Sequence, residues 1–262
     1  MSRRAAADPS ALPPAFAAWF AARGWAPRPH QLDLLRIAGA GRSALLVAPT
    51  GAGKTLAGFL PSLVALSQSR AKPSGRRLHT LYISPLKALA VDIARNLDAP
   101  VEGIGLSLRI ETRTGDTPSH KRTRQIERPP DILLTTPEQL ALLIAHREAT
   151  EFFSGLRCVV LDELHALVTS KRGDLLSLAL ARLHHLSPGL TAIGLSATVR
   201  EPDELRKYLV PQNAAFPPPP AGEGGQGSGS GEESAASGNV APLSRPSLTR
   251  GPPAPAGGGG EG

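Results

Sequence analysis

The residues best suited to chemistry lie in Thr50-Gly51-Ala52-Gly53-Lys54-Thr55, between an apolar run and a stretch with helical periodicity. Glycines that accept positive φ let successive backbone N–H groups converge on phosphate oxygens. A helix opening at this turn adds partial positive charge. Lys54 would then reach the outer phosphates of a nucleoside triphosphate, and the Thr55 hydroxyl would sit on Mg2+. Ala48 stands where the general phosphate-loop pattern has its first glycine. A Gly-rich turn of this kind occurs by chance in about one such chain in a hundred.

A second cluster is Asp162-Glu163-Leu164-His165. Alone, an Asp-Glu pair reads most simply as a helix start, because acids favour that end of the dipole. Downstream of a phosphate loop it reads differently. Asp162 can hold Mg2+ through water, and Glu163 can orient and deprotonate an attacking water. Ser196-Ala197-Thr198 follow a further apolar run. The loop, D-E-x-H and S-A-T falling in this order by coincidence has odds of roughly one in a million. His184 and His185 have no such context and read as helix surface.

Elements must bring these clusters together. Five apolar runs read as buried strands: 44–48, 78–83, 131–135, 157–161 and 191–195. A sixth, 106–112, alternates more. Helical patterns cover 54–67, 85–97, 137–146 and 173–187. Strands alternating with helices predict an α/β fold, a mainly parallel sheet with helices on both faces. Ligands in such sheets sit beyond the carboxyl ends of the strands, and each polar cluster follows a strand.

Composition narrows the classes. Residues 1–212 hold 27 Lys and Arg against 18 Asp and Glu, while residues 213–262 hold 2 against 4. A basic folded part suits a polyanion such as nucleic acid, and equally an Arg-biased composition. Arg70, Lys72, Arg76 and Arg77, and likewise Lys121, Arg122, Arg124 and Arg128, read as solvated faces rather than binding patches. The single cysteine, Cys158, excludes a disulfide framework or a Cys-based zinc site and fits a reducing cytoplasm. The N-terminal "AFAAWFAA" is too short for a membrane span and reads as a surface helix with Phe16 and Phe20 on one face. No membrane association is expected. From 213 onward the chain is Pro, Gly and Ser with few large apolar residues, so a disordered tail is expected.

With these residues in place the chain resembles superfamily 2 DExH-box helicases, specifically the large helicase-related (Lhr) family and its bacterial ligase-associated branch. The resemblance runs over about 12–212 and rests on "RPHQ", "APTGAGKT", "YISPLKALAVDI", "TRTGDT", "TTPEQL", "LDELHAL" and "LSAT". It implies a P-loop NTPase with a single RecA-like domain over 12–212, a flexible 1–11, and ATP with Mg2+ as ligands. Gln31 resembles the glutamine that reads the adenine edge, with Arg28 packing on the base. Ser196, Ala197 and Thr198 resemble the link between nucleotide state and nucleic acid, with His165 on the same relay.

The same resemblance places nucleic-acid contacts in three loops: Ser84, Pro85 and Lys87; Arg113, Thr114 and Gly115; Thr136 and Pro137. Such contacts touch sugar and phosphate, so little base specificity is expected. Aromatics make up 4% of the chain, too few for a base-stacking platform. The implied partner is single-stranded or tailed DNA, with a DNA ligase and a nuclease as protein partners. Motors of this family close two RecA-like domains around ATP. No second alternating α/β region follows residue 212, and Arg245 and Arg250 lack strand or helix context. A truncated or frameshifted product with weak activity is therefore the expectation. The alternatives are a nucleotide-gated nucleic-acid-binding module that needs a partner lobe, and an RNA-dependent ATPase.

Overall fold

Five of the six apolar runs are strands that serve two cores at once, while the sixth, which alternates, packs on one only. In the computed structural model, which describes residues 12–68, 78–169, 171–197, 201–210 and 239–242, side chains alternate between opposite faces of one sheet. On β1 (Ala44–Val47), Ala44 and Leu46 enter one core and Leu45 the other. On β5 (Cys158–Leu161), Cys158 and Val160 go with the first, Val159 and Leu161 with the second. A strand buried on both faces reads as a continuous apolar run.

The other parallel strands are β2 (Thr80–Ile83), β3 (Ile110–Arg113), β4 (Ile132–Thr135) and β6 (Thr191–Ser196). β7 (Asn239–Pro242) pairs antiparallel with β1. The sheet order is β3-β4-β2-β5-β6-β1-β7. Of the six expected strands, only β3 departs much, since it begins at Ile110 rather than residue 106. β7 is the larger departure. It lies inside the segment expected to lack structure, where "NVAP" adds backbone hydrogen bonds to the open edge of β1.

One face is covered by α1 (Pro14–Ala21), α2 (Pro29–Gly39), α3 (Lys54–Gln68) and α4 (Lys87–Ile104). α5 (Ser119–Glu127) lies beside β3, where Gln125 donates to the Thr112 carbonyl. α6 (Pro137–Ile144), α7 (Ala149–Phe153), α8 (Leu164–Val168), α9 (Lys171–Leu186) and α10 (Pro202–Lys207) cover the other face. α1 is the expected surface helix, but Phe16, Trp19 and Phe20 are all buried against the first core. Gly194 lets α8 approach β6, because a Cβ there would lie 2.9 Å from Leu164 Cδ2 and 3.0 Å from both Leu45 and Leu209. None of the helices among the described residues is long and apolar enough to cross a membrane.

Candidate nucleotide and nucleic-acid sites

The phosphate loop links the end of β1 to the first residue of α3. Gly51 and Gly53 have φ of +79° and +72°, a region costly for residues with a Cβ. Lys54 is buried, and its Nζ donates to the Ala48 carbonyl at 2.8 Å and the Pro49 carbonyl at 3.1 Å. Those bonds use two of its three N–H donors and hold it beside the loop. Thr55 follows in the first turn of α3.

α2 braces the same loop. Gln31 Oε1 accepts the Arg28 backbone N–H at 2.9 Å, and its Nε2 donates to the Gly53 carbonyl at 3.4 Å. Arg28 reaches the Gly51 carbonyl at 3.3 Å. His30 Nε2 lies 2.9 Å from the Ala52 carbonyl, and burial, with the Arg28 charge, lowers the His30 pKa. A Cβ on Gly53 would come within 3.1 Å of Gln31 Nε2, so the cradle has no spare room. Beyond the loop opens a cavity of about 680 Å3 whose walls include Trp25, Arg28, Gln31, Thr55, Asn96 and Pro100. Trp25 is exposed and meets Trp19 edge-on at 6.0 Å, while Arg23 lies 4.4 Å above the Trp19 ring. Trp25 and Asn96 were not singled out from the sequence. The aromatic three residues before Arg28 was the available signal.

The acidic cluster stands at the end of β5. Asp162 is buried, and its Oδ1 accepts the Glu163 N–H at 2.9 Å. Its Oδ2 accepts the Tyr82 hydroxyl. Burial, then the Asp162 charge, pushes the Tyr82 phenol far above its ordinary pKa, so the hydroxyl keeps its proton. Glu163 takes φ of +47°, a left-handed conformation unusual for a non-glycine residue. Its carboxylate lies 3.5 Å from His165 Nε2, and His165 Nδ1 lies 2.8 Å from Ser196 Oγ. His165 therefore bridges Glu163 and the buried end of β6. Ala197 follows Ser196, and Thr198 lies outside the described residues.

The remaining predicted residues gather at the carboxyl ends of β2, β4 and β3, which are neighbours in the sheet. Their side chains are more inward than expected. Ser84 is buried and bonds the Leu86 backbone. Arg113 is buried and donates to the Arg122 carbonyl, and burial, with the Arg122 charge, lowers its pKa. Thr114 and Thr136 are also buried, while Gly115 is exposed. Arg122 was read as part of a solvated face, but it donates to the Thr114 carbonyl at 3.3 Å and the Gly115 carbonyl at 2.7 Å. Arg124 pairs with the buried Glu111. Exposed Lys87 pairs with Asp116 at 2.7 Å and so ties the β2 loop to the β3 loop. Arg172 donates to the Pro85 carbonyl at 2.8 Å and pairs with Glu138 at 2.7 Å, and so ties the β2 loop to the start of α6. Arg70, Lys72, Arg76, Arg77, Arg245 and Arg250 lie outside the described residues.

The residues fit a nucleotide with Mg2+. The loop carries two glycines at positive φ and one buried lysine, and Asp162 is a buried carboxyl group whose two hydrogen bonds both come from neutral donors. Among the described residues no group of three or more His, Cys, Asp or Glu comes together. A divalent ion here would thus rely on Asp162, the Thr55 hydroxyl and phosphate oxygens, the sparse ligation that Mg2+ accepts.

A parallel sheet with a phosphate loop after β1 and an acidic pair after β5 defines a RecA-like P-loop NTPase. Within that class the chain belongs to the DEAD/DEAH box helicase family, whose model matches residues 28–205. It is 42% identical over 214 residues to the Lhr helicase/probable uracil glycosylase of Mycolicibacterium smegmatis, covering 76% of this chain and 14% of that protein. It is 44% identical over 182 residues to the ATP-dependent helicase Lhr-Core of Methanothermobacter thermautotrophicus, covering 65% of this chain and 21% of that one. The structure of Mycobacterium smegmatis helicase Lhr bound to ssDNA and AMP-PNP superposes with a TM-score of 0.68 at 42% identity, over 76% of this chain and 26% of that one. The DEAD-box helicase Mss116 bound to ssRNA superposes with a TM-score of 0.66 at 20% identity, which speaks to the fold alone. The chain thus spans about a quarter or less of the Lhr-type proteins it matches.

Proposed function

We propose that this chain supplies the ATPase domain of an Lhr-type DNA helicase or translocase acting in DNA repair. The observation that carries the reading is a division of the sheet's carboxyl edge. β1, β5 and β6 present the phosphate loop, the acids and Ser196, and β2, β4 and β3 present three linked loops beside them. Nucleotide and nucleic acid would then occupy adjacent halves of one edge.

On this reading the Gly51–Lys54 loop cradles the phosphates, and Gln31 reads the adenine edge from α2 while Arg28 and Trp25 flank the base. Asp162 and Thr55 would hold Mg2+, which when bound would neutralise charge on the transferred phosphoryl group. Glu163 is the general base that orients water and takes its proton. His165 carries any movement of Glu163 to Ser196 through its two ring nitrogens. The three loops offer mainly backbone groups to the strand, because Ser84, Arg113, Thr114 and Thr136 face inward. The 42% identical structure with ssDNA favours DNA over RNA. The "SPLKALA" and "RTGDT" segments favour the ligase-associated branch, with a DNA ligase and a nuclease as partners, and buried Cys158 suits a cytoplasmic setting.

Among the described residues there is one α/β unit, without arginines contributed from a second. Such arginines contribute about 10³–10⁵ in rate in related chemistry. The chain alone should therefore bind nucleotide and hydrolyse it slowly. Steady-state ATP hydrolysis with no nucleic acid, single-stranded DNA or single-stranded RNA tests this, with Lys54→Ala and Glu163→Gln as controls. A near-background rate, with nucleotide binding lost only in Lys54→Ala, supports it. DNA-stimulated hydrolysis abolished by both substitutions would show a complete motor, and stimulation by RNA only would overturn the choice of DNA.

A further inference from the structure

We infer that Tyr82 is a positioning residue for Asp162, its hydroxyl aiming the carboxylate that receives Mg2+. The inference rests on the nucleotide reading above. Tyr82 is fully buried in β2, on the sheet face that carries α3, and its ring stacks on Phe59 of α3 at 5.2 Å with 22° between planes. Packing alone would be served equally by phenylalanine. A buried hydroxyl is costly unless it is bonded, and this one donates to Asp162 Oδ2.

The sheet register brings the two side chains together. Tyr82 pairs with Val160, and the Asp162 N–H donates to the Ile83 carbonyl at 2.9 Å. Asp162 lies two residues beyond Val160, so it faces the same side as Tyr82. With Oδ1 held by the Glu163 N–H, both carboxylate oxygens are fixed. Each oxygen keeps a further lone pair for a cation. A carboxylate locked in this way binds a cation without first losing rotamer freedom, and partners of metal ligands commonly contribute about 10–100-fold in metal affinity. Tyr82 also stands two residues before Ser84, so the strand that opens the β2 loop touches the metal-binding acid directly.

The test is a Mg2+ titration of the chain with N-methylanthraniloyl-ATP, read by fluorescence, comparing wild type with Tyr82→Phe, which keeps the ring. The expected result is a Mg2+ midpoint about tenfold higher in the variant, with nucleotide affinity in EDTA unchanged. In an Asp162→Ala background the same substitution should have no further effect. An unchanged midpoint would overturn the inference, as would a shift that persists without Asp162. A wild type that binds nucleotide regardless of Mg2+ would overturn the role of Tyr82, whereas one that binds no nucleotide at all would overturn the nucleotide reading itself.

Discussion

Lys54 and Glu163 separate binding from chemistry at the level of single residues. Lys54 donates to two loop carbonyls and retains one donor for phosphate. Charged hydrogen bonds contribute about 1.5–3 kcal/mol, so Lys54→Ala should weaken nucleotide binding by roughly ten- to a hundredfold in a fluorescence titration. Glu163→Gln keeps the shape and removes the base. It should leave that affinity nearly unchanged while lowering single-turnover hydrolysis by about 10²–10⁴. The phosphate loop and the D-E-x-H cluster were legible in the sequence because their chemistry is set by adjacent residues. Tyr82 and Trp25 were not. Tyr82 reads as one more apolar strand residue until the register sets it opposite β5, and Trp25 until α1 and α4 frame the cavity.

At the scale of elements, close packing and small polar clasps hold the loops in place. A methyl group at Gly194 would press on Leu164, Leu45 and Leu209 together. Gly194→Ala should therefore cost about 1–3 kcal/mol, read as a lower thermal midpoint. Arg172 opens α9 and clasps both Pro85 and Glu138. Its ion pair is half-exposed, so Arg172→Ala should cost less than about 1 kcal/mol in stability. It should nonetheless weaken single-stranded DNA binding several-fold in an anisotropy titration, because two loops lose their common anchor. Equal DNA affinity in the variant would remove Arg172 from the grip. The strands were legible because burial on both faces leaves unbroken apolar runs. α7 and α8, at five residues each, are too short to show a helical period. α2 was read only as a motif, since its first turn is occupied in bracing the phosphate loop.

Across the whole molecule, the half-buried His79 makes stability depend on pH. Burial, with the Arg157 charge, lowers the His79 pKa from 6.5 to about 4. The unfolded chain therefore takes up a proton at a pH where the folded chain does not. Stability should be unaffected by this group above pH 6.5 and fall between pH 6.5 and about 4, by about 3 kcal/mol in all. Denaturant melts of wild type and His79→Asn across that range check it, and the variant should lose less stability on acidification. The division of the sheet edge is the larger consequence of the fold. It follows from strand order, which no local pattern encodes, and the addition of β7 to β1 was equally hidden in a Pro- and Gly-rich segment. Hydrogen exchange on the intact chain tests that division most directly, run with Mg2+ and AMP-PNP and, separately, with single-stranded DNA. Nucleotide should protect residues 28–31 and 50–56, and DNA should protect 84–88, 113–117 and 136–139. Protection of the phosphate loop by DNA, or of the β2, β3 and β4 loops by nucleotide contact alone, would contradict it.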